Sequence, residues 1–161
     1  MNQISTHRGI VYSRGGGAAA SQPLAVSAAI QILNAGGSFI DAGIALSAVI
    51  SVIEPGASGL GGDAFLVTHH AKSKENLAFN GSGEAPHAAD REAFGSEIPL
   101  HGYKAATIPG VVSTWFAAHE RYGKLPMEEI LAPAIFYAEH GFPANEGFIA
   151  RMKYHLQEFP D

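Results

Sequence analysis

The chain has 161 residues, 47% hydrophobic and 16% charged, so it is the size of one domain, can bury a core and is too apolar to be disordered. Its 10 basic and 15 acidic residues give a net charge of −5 without charged runs, which argues against nucleic acid or a membrane surface as a partner. The lack of cysteine excludes disulfides, thiolate metal sites and a cysteine nucleophile within the chain.

The N-terminal sequence bears on the compartment. The residues MNQISTHR (1–8) are polar and lack the apolar stretch of a secretion signal. The longest apolar pattern elsewhere is interrupted well short of a membrane span. As written, the sequence predicts a cytoplasmic protein, although a periplasmic or extracellular protein from which a signal was removed would read the same way.

Two kinds of hydrophobic pattern open the chain. Short apolar runs flanked by glycine predict a pair of strands at Gly9–Ser13 and Gly17–Ala20. From Pro23 the apolar period becomes helical, and the glycines at 36 and 37 supply a stop signal. The first helix is therefore expected to bury one face and to end just before these glycines.

The second predicted helix is the central one. Ser38 stands three residues before Asp41, which is the spacing of a capping box, and Pro55 forces Glu54 out of helical geometry. These signals place the helix at about Phe39–Ile53. Because its apolar residues surround the axis, the pattern predicts a helix that packs on several sides.

A glycine-rich loop, IEPGASGLGGDAF (53–65), follows this helix. Gly59, Gly61 and Gly62 leave the backbone free to adopt positive φ angles and to approach another group closely. A phosphate-binding glycine loop follows a strand and opens a helix, whereas here the order is reversed. Asp63 would also repel a phosphate, so the loop is more typical of a tight helix-to-strand crossing than of nucleotide binding.

The middle of the chain predicts a hairpin and a long loop. Strand patterns at Ala64–Thr68 and Leu77–Asn80 are joined by a charged turn, which is typical of a hairpin. The segment Gly81–Pro99 has no clear period. Loops of more than about 12–15 residues are more often functional than idle, so this one is a candidate for function.

Three helical patterns fill the rest of the chain. One contains Val112 and His119 and ends at Gly123, one runs over Leu131–Ala138 and ends at Gly141, and a weaker one covers Asn145–Phe159. In the first of them, Trp115 and Phe116 are predicted to be core residues.

Several motifs resemble the γ-glutamyltransferase family. The runs GGSFIDA (36–42), VIEP (52–55) and SGLGGDAF (58–65) are similar to the family wordings GGNAxDA, VxEP and SGxGGGxF. The likeness continues in TIPG (107–110), HERYGKLP (119–126), LAPAI (131–135) and AEHGFP (138–143). These matches fall in order with family-like spacings and cover nearly the whole chain from Gly9 to Pro143.

The resemblance implies an α+β fold of the N-terminal nucleophile hydrolase type. That fold is an α/β/β/α sandwich, of which this chain would be a helix-rich N-terminal portion. Family members are much longer, so residues 1–161 are expected to be a fragment, the N-terminal part of the large subunit. The partner implied is the C-terminal small subunit of the same precursor.

The resemblance also implies where the chemistry takes place. In this family the precursor cuts itself, and the Thr exposed at the start of the small subunit attacks the γ-glutamyl amide carbonyl with its own α-amino group as base. No Thr of this chain opens a small-subunit-like motif. No catalytic residue is therefore expected in this chain, and the fragment alone should be inactive.

The substrate-binding residues are predicted from a further family motif. The family's large subunit grips the substrate α-carboxylate with an arginine in the wording DxRExAP, and NGSGEAP (80–86) aligns with it. This alignment predicts Ser82, Gly83 and Glu84 as substrate-binding residues. It also puts Asn80 in place of the acidic residue, Ser82 in place of the arginine and Gly83 in place of the glutamate. A serine hydroxyl cannot reproduce a bidentate arginine–carboxylate contact.

Three alternatives stay open. ADREA (89–93) has a similar composition to the family motif, so Arg91 could take the anchoring place. The complete protein is expected to transfer or hydrolyse γ-glutamyl amides such as glutathione, but an altered pocket would suit another acyl amide, as in cephalosporin acylases. A non-catalytic, truncated interaction protein is the alternative of a different class.

Neither a cofactor nor a metal is predicted. His69 and His70 are adjacent on a strand and point to opposite faces, so they cannot share one metal ion, and the other histidines are scattered. Asp63 and Glu54 flank the glycine-rich loop and could form a carboxylate pair for acid–base work. A simpler role for them is to hold loop N–H groups or a helix end.

Overall fold

The computed structural model describes residues 10–158, without the side chain of residue 158. In chain order, the described elements are α1 (Pro23–Asn34), α2 (Phe39–Ile53), β1 (Ala64–His70), β2 (Glu75–Gly81), α3 (Arg91–Phe94), a 3₁₀ turn (Tyr103–Ala105), α4 (Val111–Tyr122), α5 (Met127–His140) and α6 (Glu146–Glu158). None of the helices in this part of the chain is both long and apolar enough to cross a membrane.

Helix α2 lies at the centre of the core, as its sequence predicts. It packs against α1, α4 and α5. Ala45 and Val49 in its middle have no exposed surface, and Ile130 of α5 is equally buried. Removing a large aliphatic side chain from water stabilises the fold by about 1.5–3 kcal/mol, so these contacts account for much of the core.

A buried carboxylate fixes the start of α2. The predicted capping box is present: the Ser38 hydroxyl accepts the Asp41 N–H at 3.1 Å, and the Asp41 carboxylate accepts the Ser38 N–H at 2.8 Å. The same carboxylate, which has no exposed surface, also accepts the backbone N–H groups of Lys124 at 3.0 Å and Leu125 at 3.2 Å. Asp41 therefore joins the start of α2 to the turn between α4 and α5.

His119 completes this arrangement from α4. Its Nε2 lies 2.8 Å from the carbonyl oxygen of Leu125 and 3.9 Å from the Asp41 carboxylate. Because a carbonyl oxygen can only accept, Nε2 carries the proton and donates it to Leu125. The turn is therefore held through both its N–H groups and its carbonyl.

The predicted hairpin is confirmed; β1 begins at Ala64 as predicted and extends further toward the turn, and β2 is longer than predicted at both ends. Its strands are antiparallel, in register from Ala64 opposite Gly81 to His70 opposite Glu75. The turn end of the hairpin contacts α4, where the Tyr122 hydroxyl donates to Glu75 at 3.2 Å. Hydrogen bonds from the Ser73 and Tyr122 hydroxyls hold the pKa of the Glu75 carboxyl below its ordinary value.

One prediction about secondary structure and one about the core are wrong. Residues 10–22 contain no strand, and Ile10, Val11 and Tyr12 are 79–91% exposed, because no neighbouring strand lies beside this apolar run. Gly9, where the predicted strand begins, lies outside the described residues. Phe116 is 54% exposed although Trp115 is buried, since successive helical residues point about 100° apart and the core lies on one side of α4.

The glycine-rich loop adopts a positive φ angle at a different glycine from those predicted. Gly59, Gly61 and Gly62 do not adopt positive φ, whereas Gly56 in the same loop does, at 82°. The helices end at the predicted glycines, and φ is 90° at Gly36 after α1 and 81° at Gly141 after α5, whereas it is −64° at Gly123 after α4.

Replacing Asp41 should destabilise the fold more than replacing an exposed capping aspartate. We expect Asp41→Ala to lower the free energy of unfolding by roughly 3 kcal/mol, because it removes a buried charged acceptor that three backbone N–H groups share. Thermal and denaturant unfolding measure this loss.

Asp90→Ala is the matched control. Asp90 accepts only the N–H of Ala93, at 2.8 Å, on an exposed surface, so its loss should cost at most about 1 kcal/mol. Equal losses for the two variants would show that burial of the Asp41 carboxylate does not set its contribution.

Candidate functional site

The predicted substrate-binding residues lie where β2 ends beside the start of α4. We call this meeting point the β2–α4 junction; it consists of residues 62–63, 80–84 and 107–110. Ser82 is exposed, and its backbone N–H donates to the Asn80 side chain at 3.0 Å. The carbonyl of Glu84 accepts the Ile108 N–H at 3.1 Å. Both ends of the predicted segment are thus held through the backbone, while the side chain of Ser82 faces outward.

The glycine-rich loop contributes to the junction from the other side. The Gly62 carbonyl accepts the N–H groups of Gly110 at 3.0 Å and Val111 at 3.1 Å. These donors belong to the start of α4, where N–H groups have no partner within the helix. The close approach predicted for the loop therefore occurs, through a carbonyl that caps α4.

The Asp63 carboxylate accepts hydrogen bonds from two different segments of the chain. Its Oδ1 accepts the Gly83 N–H at 2.8 Å and the Thr107 hydroxyl at 3.2 Å. Glu54, at the other end of the loop, instead accepts from the side chains of Ser21 at 2.7 Å and Gln22 at 2.8 Å. The two carboxylates considered as an acid–base pair therefore hold different parts of the chain.

Three glycines let the segments of the junction touch. A Cβ at Gly81 would overlap the Thr114 hydroxyl oxygen, one at Gly83 would overlap the Ile108 carbonyl oxygen, and one at Gly110 would overlap the Gly81 carbonyl oxygen. Gly83 was chosen from the sequence by its place in a motif. The sequence analysis did not predict the need for glycine at 81 and 110. The TIPG run is the sequence signal that could have identified Gly110.

The chemistry available at the junction is that of hydroxyls and carboxylates. None of its residues is Lys or Arg, so it presents the Ser82 hydroxyl and the acids Asp63 and Glu84 without a cation. Across the described residues, no group of three or more His, Asp or Glu side chains could hold a metal ion. His69 and His70 have separate partners, Asn76 and Ser73.

Arg91 lies beside the junction rather than in it. It begins α3 and lines an open cavity of about 520 Å³ that Ala85 and Thr107 also line. No hydrogen bond or ion pair joins its guanidinium to another described residue. Lys104 lines the same cavity, and its Nζ donates to the Ala93 carbonyl at 3.0 Å. The cavity therefore offers a guanidinium that is available to an anion.

Over residues 25–161, the chain matches the family model for gamma-glutamyltranspeptidase. The chain belongs to the γ-glutamyltranspeptidase family. This confirms the resemblance to γ-glutamyltransferases that its motifs indicate.

Two curated relatives of this γ-glutamyltranspeptidase-family chain are named as proenzymes. It is 41% identical over 125 residues, 76% of its length and 24% of the relative, to the glutathione hydrolase-like YwrD proenzyme of Bacillus subtilis. It is 35% identical over 133 residues, 80% of its length and 24% of the relative, to the glutathione hydrolase proenzyme of Pseudomonas aeruginosa. The chain thus spans about a quarter of the length of these relatives.

Solved structures confirm the predicted fold class. The Helicobacter pylori γ-glutamyltranspeptidase superposes with a TM-score of 0.88 at 31% identity, covering 94% of this chain and 45% of that one. The cephalosporin acylase of Bacillus halodurans superposes with a TM-score of 0.90 at 37% identity, covering 99% and 30%. The family chain is therefore a helix-rich portion of an N-terminal nucleophile hydrolase fold, and its hairpin is the β component.

A substitution at Gly83 should disturb the junction, whereas one at Gly61 should not. We expect Gly83→Ala to lower the free energy of unfolding by about 1–3 kcal/mol, the usual result of overpacking, because its Cβ would meet the Ile108 carbonyl. Gly61→Ala is the control, since no atom lies within 4 Å of a Cβ at that position.

Thermal unfolding of the two variants measures the difference. Equal melting temperatures would contradict the close approach of the segments at Gly83.

Proposed function

We propose that the complete protein to which this chain belongs is a self-cleaving amidase that hydrolyses or transfers the acyl group of γ-glutamyl amides or related acyl amides. The observation that carries the proposal is the family match over residues 25–161. The similarity to glutathione hydrolases and to a cephalosporin acylase supports it. The activity is proposed for the complete protein, because the chain spans only a quarter of these curated relatives.

In this proposal residues 1–161 form the N-terminal part of the large subunit. The small subunit of the same precursor is the partner and supplies the Thr nucleophile. Exposed apolar residues on β1 support a covering partner: Phe65 is 70% exposed and Val67 is 83% exposed. A hairpin of two strands is marginally stable by itself, and an apolar face of this kind usually marks an interaction surface.

The β2–α4 junction is the proposed acyl-binding region, with Ser82, Gly83 and Glu84 as substrate-binding residues. Its backbone is held by hydrogen bonds at both ends, while Ser82 and Glu84 are exposed. No hydrogen bond occupies the Ser82 hydroxyl within the described chain, so it can bind a substrate amide or carbonyl. A rigid backbone that presents an available hydroxyl is suited to orienting an amide for attack.

The junction favours a substrate without a free α-carboxylate. Such a carboxylate would lie near the acids Asp63 and Glu84, with no cation in the junction to pair with it. This observation favours the second candidate, an acylase of a different amide, over a glutathione hydrolase. Arg91 is the alternative anchor for a carboxylate, through the cavity beside the junction.

Two measurements on the full-length protein test this function. Intact-mass analysis should show two subunits produced by self-cleavage. The values of kcat/KM for glutathione and for an acyl anilide without an amino-acid head group then identify the acyl donor. An uncleaved protein that is inactive on both substrates would contradict the proposal and favour a non-catalytic role.

Adding a cation at position 82 should shift the preference toward glutathione. We expect Ser82→Arg in the processed protein to raise kcat/KM on glutathione by roughly 10- to 100-fold, because a charge-assisted contact contributes about 1.5–3 kcal/mol. It should leave the value for the neutral acyl anilide unchanged or lower it. Steady-state kinetics on both substrates provides the measurement.

Ser82→Gln is the matched control, since it adds length without charge. An equal gain for Ser82→Gln would exclude charge as the cause. If wild type already hydrolyses glutathione efficiently and Ser82→Arg has no effect on kcat/KM, the assignment of Ser82 is wrong. A lower kcat/KM for glutathione in Arg91→Ala would then identify Arg91 as the residue that binds the carboxylate.

A further inference from the structure

Asp63 is a departure from the motif that its surroundings resemble. SGLGGDAF (58–65) is similar to the wording SGxGGGxF, in which position 63 is glycine. The segment that Asp63 contacts departs as well, since Gly83 stands where the wording DxRExAP has glutamate. In this chain an acidic residue therefore stands at position 63 and a glycine at position 83, and the two are joined by a hydrogen bond.

The geometry shows that these two departures fit each other. Gly83 lies so close to the Ile108 carbonyl and to the Thr107 hydroxyl oxygen that a Cβ would overlap the first and lie 2.7 Å from the second. This closeness brings the Gly83 N–H to 2.8 Å from Asp63 Oδ1. An acidic side chain at position 83 could not occupy this space, and a glycine at position 63 could not accept the N–H through a side chain.

Asp63 also accepts hydrogen bonds from residues that are far from it in the sequence. Gly83 is 20 residues away and Thr107 is 44 residues away, yet both donate to the same carboxylate oxygen. The carboxylate therefore determines how the end of β2 lies against the segment that leads into α4. Within the described residues, its second oxygen has no hydrogen bond, and the side chain is exposed.

We propose that Asp63 is a positioning residue for substrate binding, which holds the backbone of Ser82, Gly83 and Glu84 at the place where the substrate contacts them. The inference rests on the proposed function, because it takes this segment as the acyl-binding region. Asp63 acts through the segment and does not itself touch the substrate.

A positioning role differs measurably from a role in overall stability. Asp63 and Thr107 are exposed and Gly83 is half-buried, so water can replace the lost hydrogen bonds when the carboxylate is removed. The fold should therefore change little in stability, while the segment loses its fixed position. Misplacement of a substrate-binding group by about 1 Å is enough to weaken a reaction strongly.

The test uses the full-length, self-processed protein and its better substrate among glutathione and the neutral acyl anilide. Asp63→Gly removes the acceptor and should raise KM about 10-fold, with kcat changed less than about 3-fold, because only positioning is lost. Asp63→Asn keeps an oxygen that can accept from both donors, so it should restore most of the wild-type KM. Thr107→Val removes one of the two donors and should give an intermediate KM.

Glu75→Gln is the matched control. Glu75 is an exposed carboxylate that also accepts two hydroxyl hydrogen bonds, from Ser73 at 2.9 Å and Tyr122 at 3.2 Å, at the opposite end of the same hairpin. Its KM should equal that of wild type. Melting temperatures of all variants separate a change in position from a general loss of structure.

The outcomes separate this inference from the proposed function. An active wild type with an unchanged KM in Asp63→Gly overturns the role of Asp63 and leaves the proposed function standing. A fall in kcat at unchanged KM overturns it as well. If Asp63→Gly is not processed, Thr107→Val decides, and an unchanged KM in that variant overturns the inference. An unprocessed and inactive wild type overturns both proposals together.

Discussion

The fold depends on one buried carboxylate more than on any other polar group that the structure describes. Asp41 has no exposed surface, and a buried carboxylate destabilises a protein unless its oxygens accept hydrogen bonds. Here the donors are N–H groups from the start of α2 and from the turn between α4 and α5. Satisfying this one side chain therefore fixes how three helices of the core lie relative to one another.

The sequence predicts the hydrogen bonds of Asp41 within α2 but not those to the turn between α4 and α5. Ser38 and Asp41 are three residues apart, so a rule about helix starts finds them. Lys124 is 83 residues from Asp41, and no local pattern reports a contact of that separation. The same limit explains the error at Ile10–Tyr12, where β propensity is present but a partner strand is not, and the surface position of Phe116 beside the buried Trp115.

The candidate site is likewise predicted only in part from the sequence. Motif spacing selects Ser82, Gly83 and Glu84 as candidates, and they lie where β2 ends, but their environment comes from residues far along the chain. The need for glycine at 110 arises from the Gly81 carbonyl, and the hydrogen bonds of Asp63 come from Gly83 and Thr107. Which side chain serves as anchor thus depends on packing between segments, which a single sequence does not contain.

The long separation within the Asp41 arrangement also has a consequence during synthesis. A ribosome adds about 5–20 residues per second, so the turn at 124–125 emerges several seconds after Asp41 does. During that interval α1 and α2 can pair through neighbouring residues, while the Asp41 carboxylate still depends on water and on Ser38 alone. The first two helices can therefore pair before the turn after α4, which supplies the remaining donors to Asp41, has been synthesised.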